Sequence, residues 1–222
     1  MMELHHIEAV IFDMDGLMLD TERISLACWQ QAAEAHGYRL DPAIGIGMVG
    51  LNSRDSARWI RETLGDDFPV DRINDTSRKL YLEAFERGIP TKPGLFELLD
   101  WLDDAGLPKA VATSTRRSFA EKKLGQVGIL QRFQHTVCGD EVTQGKPAPE
   151  IFLRAAQGLG IDAAACLVLE DSDPGVRGAL AAGMRVIQVP DIRPPHDEVR
   201  AFGHPIMASL DAVLAALKQS CG

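Results

Sequence analysis

The sequence predicts an α/β fold, a parallel β-sheet core into which a helical segment is inserted. Short apolar runs recur along the chain and alternate with stretches of i, i+3, i+4 periodicity, the pattern that builds parallel sheets. The region from about Leu19 to Thr91 breaks that alternation and offers amphipathic helices without a convincing strand. At 222 residues the chain is long enough for one full domain and a smaller one. The expected division is residues 1–18 and 91–222 for the α/β core, and 19–90 for a helical cap.

The first strand, Ala9 to Phe12, is wholly apolar, as a strand buried on both faces must be. It runs straight into Asp13-Met14-Asp15-Gly16. Two carboxylates about 4 Å apart at an effective dielectric of about 20 repel by about 4 kcal/mol. A bound cation would relieve that repulsion, and an exposed acidic turn is the alternative. The insertion follows, with helices expected over Arg23 to His36, Ser53 to Leu64 and Asp71 to Arg87, and a less regular piece at Ile44 to Val49. Placed after a strand of an open α/β sheet, it lies where such sheets bind ligands and reads as a lid. Its arginines Arg54, Arg58 and Arg61 fit a solvated helix face or a substrate contact; the i, i+3 spacing of Arg58 and Arg61 is what a solvated face produces.

Beyond Pro90, Pro93 and Gly94, a helix carries Leu95, Leu98, Leu99 and Leu102 and ends at Gly106. The second strand, Lys109 to Thr113, leads into Ser114, Thr115, Arg116 and Arg117. Hydroxyls and backbone N–H groups ahead of a helix suit an anion, or simply cap the helix. A weaker strand at His135 to Cys138 precedes the prolyl loop that carries Lys146. Restrained by nearby prolines, that lysine is either a docking cation or an ordinary surface residue. A helix over Ile151 to Gly158 leads to the strand Cys166 to Leu169, which ends in Glu170, Asp171 and Asp173. Such an oxygen-rich cluster favours Mg²⁺, or else stabilises a helix N-terminus. A helix from Gly175 to Gly183, a strand from Arg185 to Val189 and a helix from Leu210 to Leu217, N-capped by Ser209, complete the chain.

The balance of 23 basic to 32 acidic residues, with no basic block, makes nucleic acid an unexpected partner. No run reaches transmembrane length, and Met1 to His6 lacks the basic start and apolar run of a signal peptide, so the expected location is the cytoplasm. Cys28, Cys138, Cys166 and Cys221 show no metal spacing and read as buried thiols.

Acids after one strand, hydroxyls after the next, a lysine before a helix and Glu-Asp after a later strand meet at one sheet edge. In that combination the chain resembles the haloacid dehalogenase superfamily of phosphohydrolases, in the branch holding β-phosphoglucomutase and small sugar-phosphate phosphatases. Asp13-Met14-Asp15-Gly16, Thr113, Lys146 and Glu170-Asp171 match its four motifs. The resemblance implies a Rossmann-like core with a mobile cap, and action on a small phosphorylated metabolite with Mg²⁺; apart from it, a monomer is the expectation, though the sequence does not fix the oligomeric state. The resemblance also implies Asp13 as nucleophile, Asp15 as general acid and base, and Lys146 as the catalytic cation. Thr113, Ser114 and Lys146 would bind the phosphoryl group. Asp13, the Asp15 carbonyl, Glu170 and Asp171 would bind the metal. Ser25 stands where β-phosphoglucomutases carry a cap histidine, and Ser53 stands near the place of their cap arginine, with Arg54 one residue off. Both departures favour phosphatase over phosphosugar mutase, and the intact acid set argues against a non-catalytic metabolite-binding protein.

Overall fold

The computed structural model describes residues 7–48 and 53–220. His5, His6, Val49 and Cys221, like the side chain of Arg54, lie outside the described residues. Five parallel strands form one sheet in the order β3-β2-β1-β4-β5. They are β1 (Ala9–Phe12), β2 (Lys109–Thr113), β3 (His135–Cys138), β4 (Cys166–Glu170) and β5 (Arg185–Gln188). β1 is central, and its Phe12 is in register with Val111 of β2 and Leu169 of β4. All four β1 residues are fully buried, which is why the sequence shows an unbroken apolar run there.

Alternate strand residues serve opposite faces. Ala9 and Ile11 of β1 join Ala110, Ala112 and Val168 in a core with Phe152 and Ala155 of α7 (Glu150–Leu159) and Val176 and Ala179 of α8 (Asp173–Ala181). Phe12 points the other way and meets Phe133 edge-on at 5.7 Å. The helix α6 (Arg117–Val127) follows β2, and the short α9 (Asp197–Arg200) and terminal α10 (Leu210–Ser220) follow β5; α5 (Leu95–Asp104) precedes β2 and packs with α10. Ser209 Oγ accepts the Ala212 N–H at 3.3 Å, which caps α10.

The chain divides into two compact units, Met1–Leu19 with Thr91–Gly222, and Asp20–Pro90. The second contains α1 (Thr21–Ala35), α2 (Pro42–Met48), α3 (Ser53–Leu64) and α4 (Val70–Glu86). Its core is built from Trp29, Ala32, Ile60, Phe68 and Ile73. α2 is a regular helix over Pro42–Met48, where a less regular piece is expected at Ile44 to Val49. Met48 is buried and the Trp59 indole reaches the Ile44 carbonyl at 3.4 Å, so packing overrides a poor propensity. The segment's ends meet, since Asp20 N–H donates to the Pro90 carbonyl at 2.9 Å, and Leu19 and Thr91 of the first unit form an antiparallel bridge. Among the described residues no helix is long and apolar enough to cross a membrane.

Candidate active site

The register of the sheet brings the acidic strand ends together. The Asp13 N–H donates to the Leu169 carbonyl at 3.0 Å, so Asp13 leaves β1 beside Glu170 at the end of β4. Lys146, from the loop ahead of α7, reaches between them. Its Nζ donates to Asp13 Oδ1 and to Glu170 Oε1, each at 2.5 Å. These groups are deeply buried, with 6% of the Lys146 side chain, 9% of Asp13 and none of Glu170 exposed. Glu170 Oε2 accepts the Ser172 N–H at 2.8 Å and its hydroxyl at 2.9 Å. Both Glu170 oxygens are therefore engaged by the chain itself.

One carboxylate oxygen from each of Asp13, Glu170 and Asp171 lies within 4.8 Å of the other two. A compact, buried, all-oxygen donor set fits a hard divalent cation. Gly16 keeps this cradle open, because its φ of +87° favours glycine and a Cβ there would overlap the Asp171 carboxylate. The electrostatics point the same way. The Asp13 carboxyl is pushed up to about 8, chiefly by burial and further by the Glu170 and Asp15 charges, against the opposing pull of Lys146. A further positive charge is what would hold Asp13 ionised at neutral pH. Lys146 is held above the ordinary lysine value, since Asp13 and Glu170 outweigh the opposing effect of its burial.

Asp15 is oriented by two donors on separate oxygens. Thr115 Oγ1 donates to Oδ2 and Lys123 Nζ donates to Oδ1, both at 2.6 Å. Thr113 is buried, and its hydroxyl oxygen accepts the Thr115 N–H at 3.1 Å, which leaves its proton available to donate. Ser114, next along, is exposed. Asp173 is not part of the acid cluster. As the first residue of α8, it accepts the His196 N–H at 3.0 Å, pairs with His196 Nδ1 at 2.5 Å, and accepts Gln188 Nε2 at 3.2 Å. Of the other arginines, Arg58 is exposed, Arg61 makes a two-oxygen pair with Asp71, and Arg117 pairs with Glu141.

Sequence reasoning missed two contributors. Lys123 belongs to no motif, yet it shares a helical face with the buried Ala120 and Leu124, while adjacent Lys122 is exposed. A charge on an apolar face was the available signal. Gln188 lies inside the strand expected at Arg185 to Val189 and belongs to no motif. It is fully buried, and its Nε2 also donates to the Asp171 carbonyl at 3.1 Å, steadying the loop that carries Asp171.

Comparison with known proteins places this geometry. The profile of the haloacid dehalogenase-like hydrolases matches residues 10–189. Protein CbbY of Rhodobacter capsulatus is 33% identical over 201 residues, covering 83% of this chain and 86% of its own. Fructose-1-phosphate phosphatase YqaB of Escherichia coli is 31% identical over 184 residues, covering 81% of this chain and 95% of its own. The crystal structure of CbbY from Rhodobacter sphaeroides in complex with phosphate superposes with a TM-score of 0.77 at 28% identity, covering 96% of this chain and 99% of that one. With its acid-bearing strand ends on a five-stranded parallel sheet, the chain belongs to the haloacid dehalogenase-like hydrolases, among that family's phosphatases.

Proposed function

We propose that this enzyme is a Mg²⁺-dependent phosphatase that hydrolyses sugar or polyol phosphates through an aspartyl-phosphate intermediate. The observation that carries the reading is the buried Asp13 carboxylate, shared with Lys146 and set beside Glu170 and Asp171. Phosphatase names among its relatives support the substrate class.

In the first half-reaction an Asp13 carboxylate oxygen attacks phosphorus, and the bond from phosphorus to the ester oxygen breaks. The Asp15 carboxyl gives its proton to the departing oxygen. In the second, water attacks the aspartyl phosphate and Asp15 takes the proton of that water. The bond from phosphorus to Asp13 then breaks, which releases phosphate and restores Asp13. Thr113 donates its hydroxyl proton, and Ser114 its N–H, to the transferring oxygens, while Lys146 offsets their charge. Phosphoryl transfer depends on this kind of positioning and charge balance. Asp13, Glu170, Asp171 and the Asp15 carbonyl would hold Mg²⁺, which when bound supplies the positive charge that aligns nucleophile and phosphate.

The test is phosphate release from a panel of phosphorylated metabolites, with isomerised product measured in the same reactions. Asp13→Asn is expected to lower release by more than about 10³-fold, and a chelator to abolish it until Mg²⁺ is restored. Primed β-glucose 1-phosphate is expected to give phosphate rather than glucose 6-phosphate. Undiminished turnover in Asp13→Asn would overturn the proposal.

A further inference from the structure

We infer that Lys123 of α6, together with Thr115, is a positioning residue for proton transfer, holding the Asp15 carboxyl in the orientation from which it serves the leaving oxygen. The inference rests on the reading of Asp15 as general acid and base. Its own support is geometric. An aspartate on a loop ordinarily turns about two side-chain bonds, and a donor on each oxygen removes that freedom. Here both donors come from the stretch that follows β2, Thr115 from the turn and Lys123 from the second turn of α6.

The lysine is also unusual for its element. Only 8% of its side chain is exposed, and a lysine is rarely buried unless paired. Lys122, one residue away, is exposed, as a helical lysine commonly is. Lys123 thus brings a cation to the proton-transfer carboxyl, whereas Lys146 serves Asp13 and Glu170. The two acids of the first motif are held by separate lysines, so losing one cation should disturb one chemical role and spare the other.

Leaving-group dependence separates this from a merely structural part. An alkoxide needs a proton as it departs, whereas p-nitrophenolate leaves as a stable anion. On kcat/KM, which reports the step that expels the leaving group, Lys123→Met is expected to lose about 10²-fold with glycerol phosphate. With p-nitrophenyl phosphate the loss should stay under about fivefold. Lys123→Arg, which keeps the charge, should retain the glycerol phosphate value to within about tenfold. Asp15→Asn is run alongside and should show the same split at least as strongly. Thr115→Val removes the second donor with little change of shape and supplies the same comparison should Lys123→Met fold poorly. Equal losses on both esters in the Lys123 and Thr115 variants, with the split intact in Asp15→Asn, would overturn the inference alone. Equal losses in Asp15→Asn itself would overturn the reading of Asp15 and the inference with it.

Discussion

Lys146 illustrates how much one side chain decides at the residue scale, since its ammonium stands between two carboxylates that would otherwise face each other in a buried site. Removing one partner of such a group leaves uncompensated charge, at a cost of about 3–5 kcal/mol. Lys146→Met is therefore expected to lower stability by about that amount in urea denaturation without Mg²⁺. Mg²⁺ should bind more tightly to it by calorimetry, because the acids lose their internal counter-ion, while turnover falls by about 10²-fold or more. Tighter metal binding beside lost turnover distinguishes this from simple unfolding. The residues at this scale were legible in the sequence where chemistry forces an unusual neighbour, as with two acids after an apolar strand. They were not where the signal is a single polar group in an ordinary pattern. Lys123 in a helix and Gln188 at a strand end reveal their work only when the fold places Asp15 and the Asp171 carbonyl beside them.

At the scale of elements, the turn from β4 into α8 does the most with the fewest residues. Ser172 caps α8 by accepting the Gly175 N–H at 3.2 Å, and the same hydroxyl donates to Glu170. Gly175 lies against the Glu170 carboxylate, where a Cβ would overlap it. That carboxylate cannot swing aside, because it is fully buried and bonded to Lys146 and Ser172. Gly175→Ala is expected to cost about 1–3 kcal/mol through overpacking, read as a lowered midpoint in thermal denaturation, and to cut phosphate release by about tenfold or more. A variant of unchanged stability and rate would show that Glu170 has room the structure denies it. Strands were easily read from sequence because both their faces are covered, so composition alone marks them. The four-residue α9 was missed, being too short for periodicity to register, and α8 starts two residues before the expected Gly175 because Ser172 and Pro174 set its first turn.

For the molecule as a whole, the position of β1 at the centre of the sheet lets β4 on one side bring Glu170 and Asp171 to Asp13 while the turn after β2 on the other brings Thr115 to Asp15. Asp13, Asp15, Thr115, Lys123, Lys146, Glu170 and Asp171 all belong to the unit formed by Met1–Leu19 and Thr91–Gly222. Joining residue 19 to residue 91 through a short Gly-Ser linker is therefore expected to give a cooperatively melting protein that binds Mg²⁺ within about tenfold of the full chain by calorimetry. Loss of binding would show that the cluster depends on residues 20–90. The overall α/β class was readable because alternation of strand and helix is a long-range regularity, whereas the convergence of particular side chains depends on register, which no local pattern specifies. The bridge between Leu19 and Thr91 also bears on how quickly the chain can find this sheet. If residues 20–90 fold first and bring their ends together, the span that β1 and β2 must close shrinks from about 96 residues to about 25, roughly two halvings or about 1.2 kcal/mol of loop entropy. A long detour in the chain then costs the central parallel pairing little more than an ordinary helical crossover would.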